Sequence, residues 1–143
     1  MRITDVLRGK GTTVVTVRPD SPVTELLDLL AHHGVGALVV SSDGVTVEGI
    51  VSERDVVRRL QRDGAEMLGQ PVSEIMTVEV HTAVPEVSIE DLMRLMTERR
   101  FRHVPVLVDG SLAGIVSIGD VVKHRIDQLE FERDQLDNYV HQS

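Results

Sequence analysis

The chain has no cysteine and no tryptophan, and Phe101, Phe131 and Tyr139 are its whole aromatic content, 2% of 143 residues. Without thiols, disulfides, thiolate nucleophiles and cysteine-based zinc sites are excluded. With so few rings the core has to be aliphatic, and stacking of nucleic-acid bases on aromatic platforms is not expected. Positive charge is also in deficit: 15 Lys and Arg stand against 23 Asp and Glu, a formal net charge of -8. That balance opposes the phosphate neutralisation on which loose nucleic-acid binding depends, so only a local basic pocket could hold a phosphate. No run approaches the ~20 apolar residues of a membrane span. The opening Met1-Arg2-Ile3-Thr4-Asp5 lacks the apolar stretch of a signal peptide. These absences predict a soluble cytoplasmic protein with no membrane or nucleic-acid partner.

Catalytic patterns are missing too. There is no G-x-S-x-G elbow and no H-E-x-x-H, and the six histidines at 32, 33, 81, 103, 124 and 141 show no metal-ligand spacing. Gly9-Lys10-Gly11 reads as a turn and fails as a phosphate loop, because a P-loop places Lys after its second glycine and follows it with Ser or Thr. The expectation is a protein that is not an enzyme, with no catalytic residue, no metal and no required cofactor.

What the chain does have is one corner written twice. Gly49-Ile50-Val51-Ser52-Glu53-Arg54-Asp55 and Gly114-Ile115-Val116-Ser117-Ile118-Gly119-Asp120 each end an apolar strand with a serine and an aspartate before a helical run. Ser-x-x-Asp at that point is a capping box, which stabilises a helix start by about 1 kcal/mol and needs no ligand. It also places a hydroxyl and a carboxylate beside free helix-opening amides, which is a place for an anion or a diol. Capping does not require the glycine six residues before each aspartate.

Around these corners the elements recur. Ile3 to Leu7 reads as a short helix with Thr4 as its cap, and Thr12 to Val17 as a strand ended by Pro19. Val23, Leu26, Leu27 and Leu30 form one buried helical face behind Pro22, closed by His32-His33-Gly34. Gly36 to Ser41 is a strand, Asp43-Gly44 a turn, and Val45 to Ser52 the next strand. Val56, Val57 and Leu60 give a helix with Arg58, Arg59 and Arg62 outward. The pattern then restarts: Val72 to Met76 matches Ile3 to Leu7 at a spacing of 69, and Ile89, Leu92, Met93 and Met96 match Val23 to Leu30 at 66. Asp120 follows Asp55 at 65. This is a tandem β-α-β-β-α unit of the α/β class, each copy too small for a good core alone, so the copies should pack together. The boundaries drawn are 1–62 and 72–126 for the repeats, 63–71 for a linker and 127–143 for a C-terminal helical extension.

The two corners resemble the signature of CBS domains (cystathionine β-synthase domains), and Phe101-Arg102-His103-Val104-Pro105-Val106 resembles that family's entry to its middle strand. The resemblance covers residues 3 to about 126. It implies a pseudo-twofold module with two clefts, each accepting an adenosine-containing ligand. In it, Asp55 and Asp120 would bind ribose, and Ser52 and Ser117 would sit near phosphate. Arg102 and His103 match the family's basic pair, against Gly36 and Ala37 in the first half, so the clefts should differ in phosphate preference. Thr16 and Thr82 resemble positions that approach the ligand, although strand propensity explains them equally. AMP, ADP and ATP are the candidate ligands, ahead of NAD and S-adenosylmethionine.

Beyond the repeats, Val122, Leu129 and Leu136 recur every seven residues with Ile126, Arg133 and Val140 as a companion row. This short seam either lies back on its own module or meets a partner helix. A homodimer is expected. The functional expectation is a regulatory ligand-sensing module whose partners include an unidentified effector protein. Two other readings stay open: an assembly module that binds no nucleotide, and a regulatory subunit of an enzyme on another chain.

Overall fold

The computed structural model describes residues 1–10 and 14–141. The order is α1 (Ile3–Lys10), β1 (Thr16–Val17), α2 (Val23–His33), β2 (Ala37–Val40), β3 (Gly49–Ser52), α3 (Glu53–Asp63), α4 (Ile89–Arg99), β4 (His103–Val108), β5 (Ser111–Ser117) and α5 (Ile118–His141). Two short 3-10 segments, Ala65–Gly69 and Val72–Glu74, join α3 to the second half. The architecture is α/β, two repeats on the β-α-β-β-α plan that the sequence repeat predicts, with the last helix of the second, α5, running on as the C-terminal helix.

In the first half β1 pairs parallel with β2 and β2 antiparallel with β3, Ala37 opposite Ser52. In the second half β4 and β5 pair antiparallel with His103 opposite Ser117. The strand expected around Thr82 is reduced to one parallel bridge between Ala83 and Val106. Ala83 N–H donates to Pro105 O at 3.0 Å, and Leu107 N–H donates to Ala83 O at 2.9 Å. The next bond on either side would need a donor from Pro85 or Pro105, and proline has none, so the ladder stops after one residue. Thr12 lies outside the described residues, and β1 keeps only Thr16 and Val17 of its expected span.

Each repeat's leading segment is seated in the other repeat's core. Ile3 and Val6 of α1, both fully buried, pack with Ile89, Leu92, Met96, Val104, Val106, Val116 and Val121. Val72 and Ile75 pack with Val17, Leu26, Leu30, Leu38 and Val51. Met67, from a stretch that reads as polar linker, is fully buried in this first core. The two halves are therefore interlocked.

Several local expectations are corrected. Thr4 does not cap α1: its hydroxyl donates to Pro85 O at 3.0 Å, while Asp5 accepts from Arg2 N–H at 2.8 Å. Gly9 and Lys10 belong to the last turn of α1, so the turn expected at Gly9-Lys10-Gly11 is helix as far as Lys10, and Gly11 is outside the described residues. Of Val72 to Met76 only Val72–Glu74 is helical, a single 3-10 turn shorter than the helix it matches. On α3 only Val56 is buried, whereas Val57 is 64% exposed. Arg59 is not outward: it pairs with Asp63 at 3.3 Å and donates to Glu74 O, tying the 3-10 turn to α3. The tail does not lie back on its own module. Every residue of α5 from Leu129 to His141 is exposed, with Leu129, Leu136 and Val140 at 47–66%.

Candidate functional site

Both corners form capping boxes. At the first, Ser52 N–H donates to Asp55 Oδ2 at 2.8 Å, the Ser52 hydroxyl to the same oxygen at 3.1 Å, and Asp55 N–H to Ser52 Oγ at 3.4 Å. At the second, Ser117 N–H donates to Asp120 Oδ2 at 2.9 Å and Asp120 N–H to Ser117 Oγ at 3.1 Å. The first amide of each helix is taken as well: Glu53 N–H donates to Gly36 O at 3.0 Å, and Ile118 N–H to Arg102 O at 2.8 Å. Each corner is thereby bonded to the residue that opens the middle strand of its own repeat, so it is rigid. Fewer amides remain for a phosphate than the sequence alone implies.

The corner at Asp55 opens onto a cleft of about 710 Å³, which it shares with the second repeat. Ser52 and Asp55 line it together with Arg102 and His103, four of the expected site residues drawn from both halves. It also holds groups that the sequence did not single out: Thr77, Glu79, His81, Phe101, and the arginines 54, 58, 99 and 100. Five arginines counting Arg102 line this one space, in a chain of net charge -8. The signal was the Arg99-Arg100 run ahead of Phe101, together with Arg54 and Arg58 one turn apart on α3. Arg58 is exposed, as expected, and the surface it faces is this cleft. His81 and Phe101 stack at 4.8 Å between ring centroids with 15° between planes.

Arg100 is a further mark of the cleft. It ends α4 in the left-handed conformation, φ 58°, at the place where α2 ends with Gly34 at φ 63°. A non-glycine residue there stores about 1 kcal/mol that glycine would avoid.

The corner at Asp120 is built differently. Lys10, the last residue of α1, donates to Asp120 Oδ2 at 2.6 Å and to Ile115 O at 2.9 Å. Burial works to raise the Asp120 carboxyl, but the hydrogen bonds from Lys10 and the Ser117 amide outweigh it and hold it below the ordinary carboxylate value. Asp55 has no ion-pair partner among the described residues. Beside Lys10 lies a smaller cavity of about 120 Å³, walled by Leu7, Val14, Val15, Val35 and Leu38.

His103 stands between the corners. Its ring is within 3.8 Å of where a Cβ on Gly36 would be, and its strand partner is Ser117. Burial and the neighbouring Lys10 charge lower its pKa, against the opposing pull of Asp120. Both effects favour the neutral imidazole. Thr16 and Thr82 line neither cavity at the corners. Thr16 sits in β1, and Thr82 borders a separate groove with Ala83 and Asp109. Among the described residues no cluster of His, Asp or Glu could hold a metal ion, and no helix is long and apolar enough to cross a membrane.

Comparison with known proteins gives a consistent picture. The family model described as CBS domain matches residues 10–62 and 72–127. The CBS domain-containing protein YhcV of Bacillus subtilis is 35% identical over 133 residues, 92% of each chain. The crystal structure of the CBS-domain containing protein ATU1752 from Agrobacterium tumefaciens superposes with a TM-score of 0.83 at 47% identity, over 87% of this chain and 99% of that one. A crystal structure of CBSX2 in complex with AMP matches at a TM-score of 0.72 and 30% identity, over 88% and 96% of the two chains.

Proposed function

The chain belongs to the CBS-domain family, and from that premise we propose that it is a non-catalytic regulatory module that binds an adenine nucleotide in the cleft beside Asp55. The observation that carries this reading is the meeting, in one 710 Å³ cleft, of Asp55 with five arginines from both repeats. A carboxylate without a cationic partner suits a vicinal diol, since it accepts two hydrogen bonds at once. Arginines on both walls, Arg54 and Arg58 beside Asp55 and Arg99, Arg100 and Arg102 across from it, suit a phosphate chain. The AMP complex of the similar CBSX2 supports the same ligand class. AMP, ADP and ATP are the ligands proposed, with NAD and S-adenosylmethionine behind them.

Because the cleft is walled by both repeats, a ligand there adds contacts between them and biases how the halves sit, which is a signal that a partner or a second copy can read. We further propose that the chain acts as a homodimer. Val57 and Leu60 on α3 and Val122, Ile126 and Leu129 on α5 leave apolar surface exposed on two helices. Titration calorimetry of the full chain with AMP, ADP, ATP, NAD and S-adenosylmethionine tests the ligand reading. Saturable binding with a phase that is lost in Asp55→Ala supports it. Absence of binding by all five leaves the serine and aspartate pairs as helix caps in an assembly module.

A further inference from the structure

The two corners are equivalent in sequence, but their carboxylates are not equally available. Leu7 and Met76 correspond across the repeat at a spacing of 69, and the same spacing pairs Lys10 with Glu79. One leading segment therefore delivers an ammonium to the far corner, and the other delivers a carboxylate. The ammonium of Lys10 sits on Asp120 at 2.6 Å, while Glu79 lines the cleft of Asp55 and cannot pair with it. Asp120 Oδ2 already accepts from both Lys10 and the Ser117 amide. A ribose diol that grips both carboxylate oxygens at once has to take the place of a charge-assisted bond, the strong kind.

What happens to the displaced ammonium decides which ligands can enter. It is partly enclosed, its side chain 35% exposed, and beyond Asp120 its bonding partner is the Ile115 carbonyl. A neutral nucleoside offers it no new anion, so the full cost of breaking the pair falls on the ligand. A nucleotide offers its phosphate, and the lysine can exchange one anion for another.

We infer that Lys10 is a specificity-determining residue that locks the Asp120 corner against unphosphorylated nucleosides and admits phosphorylated ones, while the Asp55 corner carries no such lock. This deepens the ligand reading given above and rests on it. The chemistry selected is an anionic group attached to a ribose-like diol.

The test is calorimetry on the full chain with two probes, adenosine and AMP, in Asp55→Asn, Asp55→Asn/Lys10→Met and Asp55→Asn/Lys10→Arg, so that the Asp120 corner is read alone. Lys10→Met should raise adenosine affinity at this corner about tenfold or more and narrow the preference for AMP by at least as much, with Lys10→Arg restoring that preference. The gain should vanish when Asp120→Asn is added. Thermal unfolding of each variant shows whether α1 stays docked, and a fully folded Lys10→Met chain whose adenosine and AMP affinities are unchanged, or fall together, overturns the lock. In that event wild-type binding at the Asp55 cleft would still stand. If neither probe binds even the wild-type chain, the ligand reading fails, and the lock with it.

Discussion

Gly114 lies so close to Leu7 that a Cβ on it would meet Leu7 Cδ2 at 2.6 Å. The same relation holds in the other repeat, where a Cβ on Gly49 would meet Met76 Sδ at 2.8 Å and Thr77 O at 2.9 Å. The glycine that precedes each aspartate by six residues is therefore a seat for the leading segment of the opposite repeat, which is why helix capping alone could not account for it. The two seats differ in what would have to move. Leu7 presents the far end of a side chain, whereas at Gly49 a backbone carbonyl is in the way, and that carbonyl accepts from Ile50 N–H at 3.0 Å. Gly49→Ala should cost about 2 to 3 kcal/mol and Gly114→Ala about 1, read as the shift in urea midpoint at unchanged slope. Equal losses would mean that both sites relax through their side chains.

At the Asp55 corner, capping and binding can be separated. Asp55→Ala removes the Oδ2 acceptor of the capping box as well as the charge, and should cost about 1 kcal/mol of stability along with at least about tenfold in nucleotide affinity. Asp55→Asn keeps an acceptor, so most of the stability should survive while affinity still falls. If Asp55→Asn binds AMP as the wild type does, the carboxylate charge plays no part in recognition.

Arg102 and Arg100 offer a second separation. Arg102→Ala should weaken AMP far more than adenosine at the Asp55 cleft, because its charge has a phosphate to meet only in the first case. Arg100→Gly should instead stabilise the chain by about 1 kcal/mol, since glycine accepts φ 58° without strain, yet lower affinity for AMP. A variant that gains stability and loses no affinity would remove Arg100 from the site.

The repeat, the helical faces and both corners could be read from the sequence because each leaves a local trace: a period, a cap, a glycine at fixed distance. The shortened strand at Ala83 left a trace too, in Pro85 and Pro105, but its meaning depended on which strand they would face. What stayed hidden is long-range. Lys10 reaches a residue 110 positions away, and nothing in Gly9-Lys10 announces it. The five arginines of the Asp55 cleft come from α3 and from the approach to β4, segments whose meeting is set by the packing of the halves. Met67 looked like linker because its neighbours are polar, and only its burial shows that the connection is part of the core.

His103 gives a pH dependence of known sign. Lys10, Asp120, Arg102 and Glu53 are the charged groups around it, and burial with the Lys10 charge depresses its folded pKa below the ordinary 6.5. The unfolded chain therefore binds this proton more readily, so the stability that neutral His103 contributes is present above about pH 6.5 and is lost as pH falls through the depressed folded value. Asp120 adds the same sign at lower pH, its stabilisation lost as pH falls through a folded value below 3.8. His103→Gln should flatten the first of these two limbs in urea unfolding measured from pH 7.5 to 5. A slope that persists unchanged would assign it to other groups.

The tail supplies the last prediction. From Leu129 onward α5 buries nothing, yet Val122, Ile126, Leu129, Leu136 and Val140 make an apolar row at alternating spacings of four, three, seven and four, broken by Arg133. A helix that long, exposed on all sides over its last turns, gains little from its own module, and under the homodimer reading a partner helix carrying the same row would complete it. Removing residues 128–143 should leave the urea midpoint of the core at high dilution nearly unchanged, because no residue removed is buried among those described. The same removal should weaken self-association by about tenfold or more. Sedimentation velocity of the two forms across micromolar concentrations decides it. A full-length chain that sediments as a monomer would dismiss the homodimer, and a truncated chain that dimerises as tightly as the full one would move the interface to Val57 and Leu60 on α3.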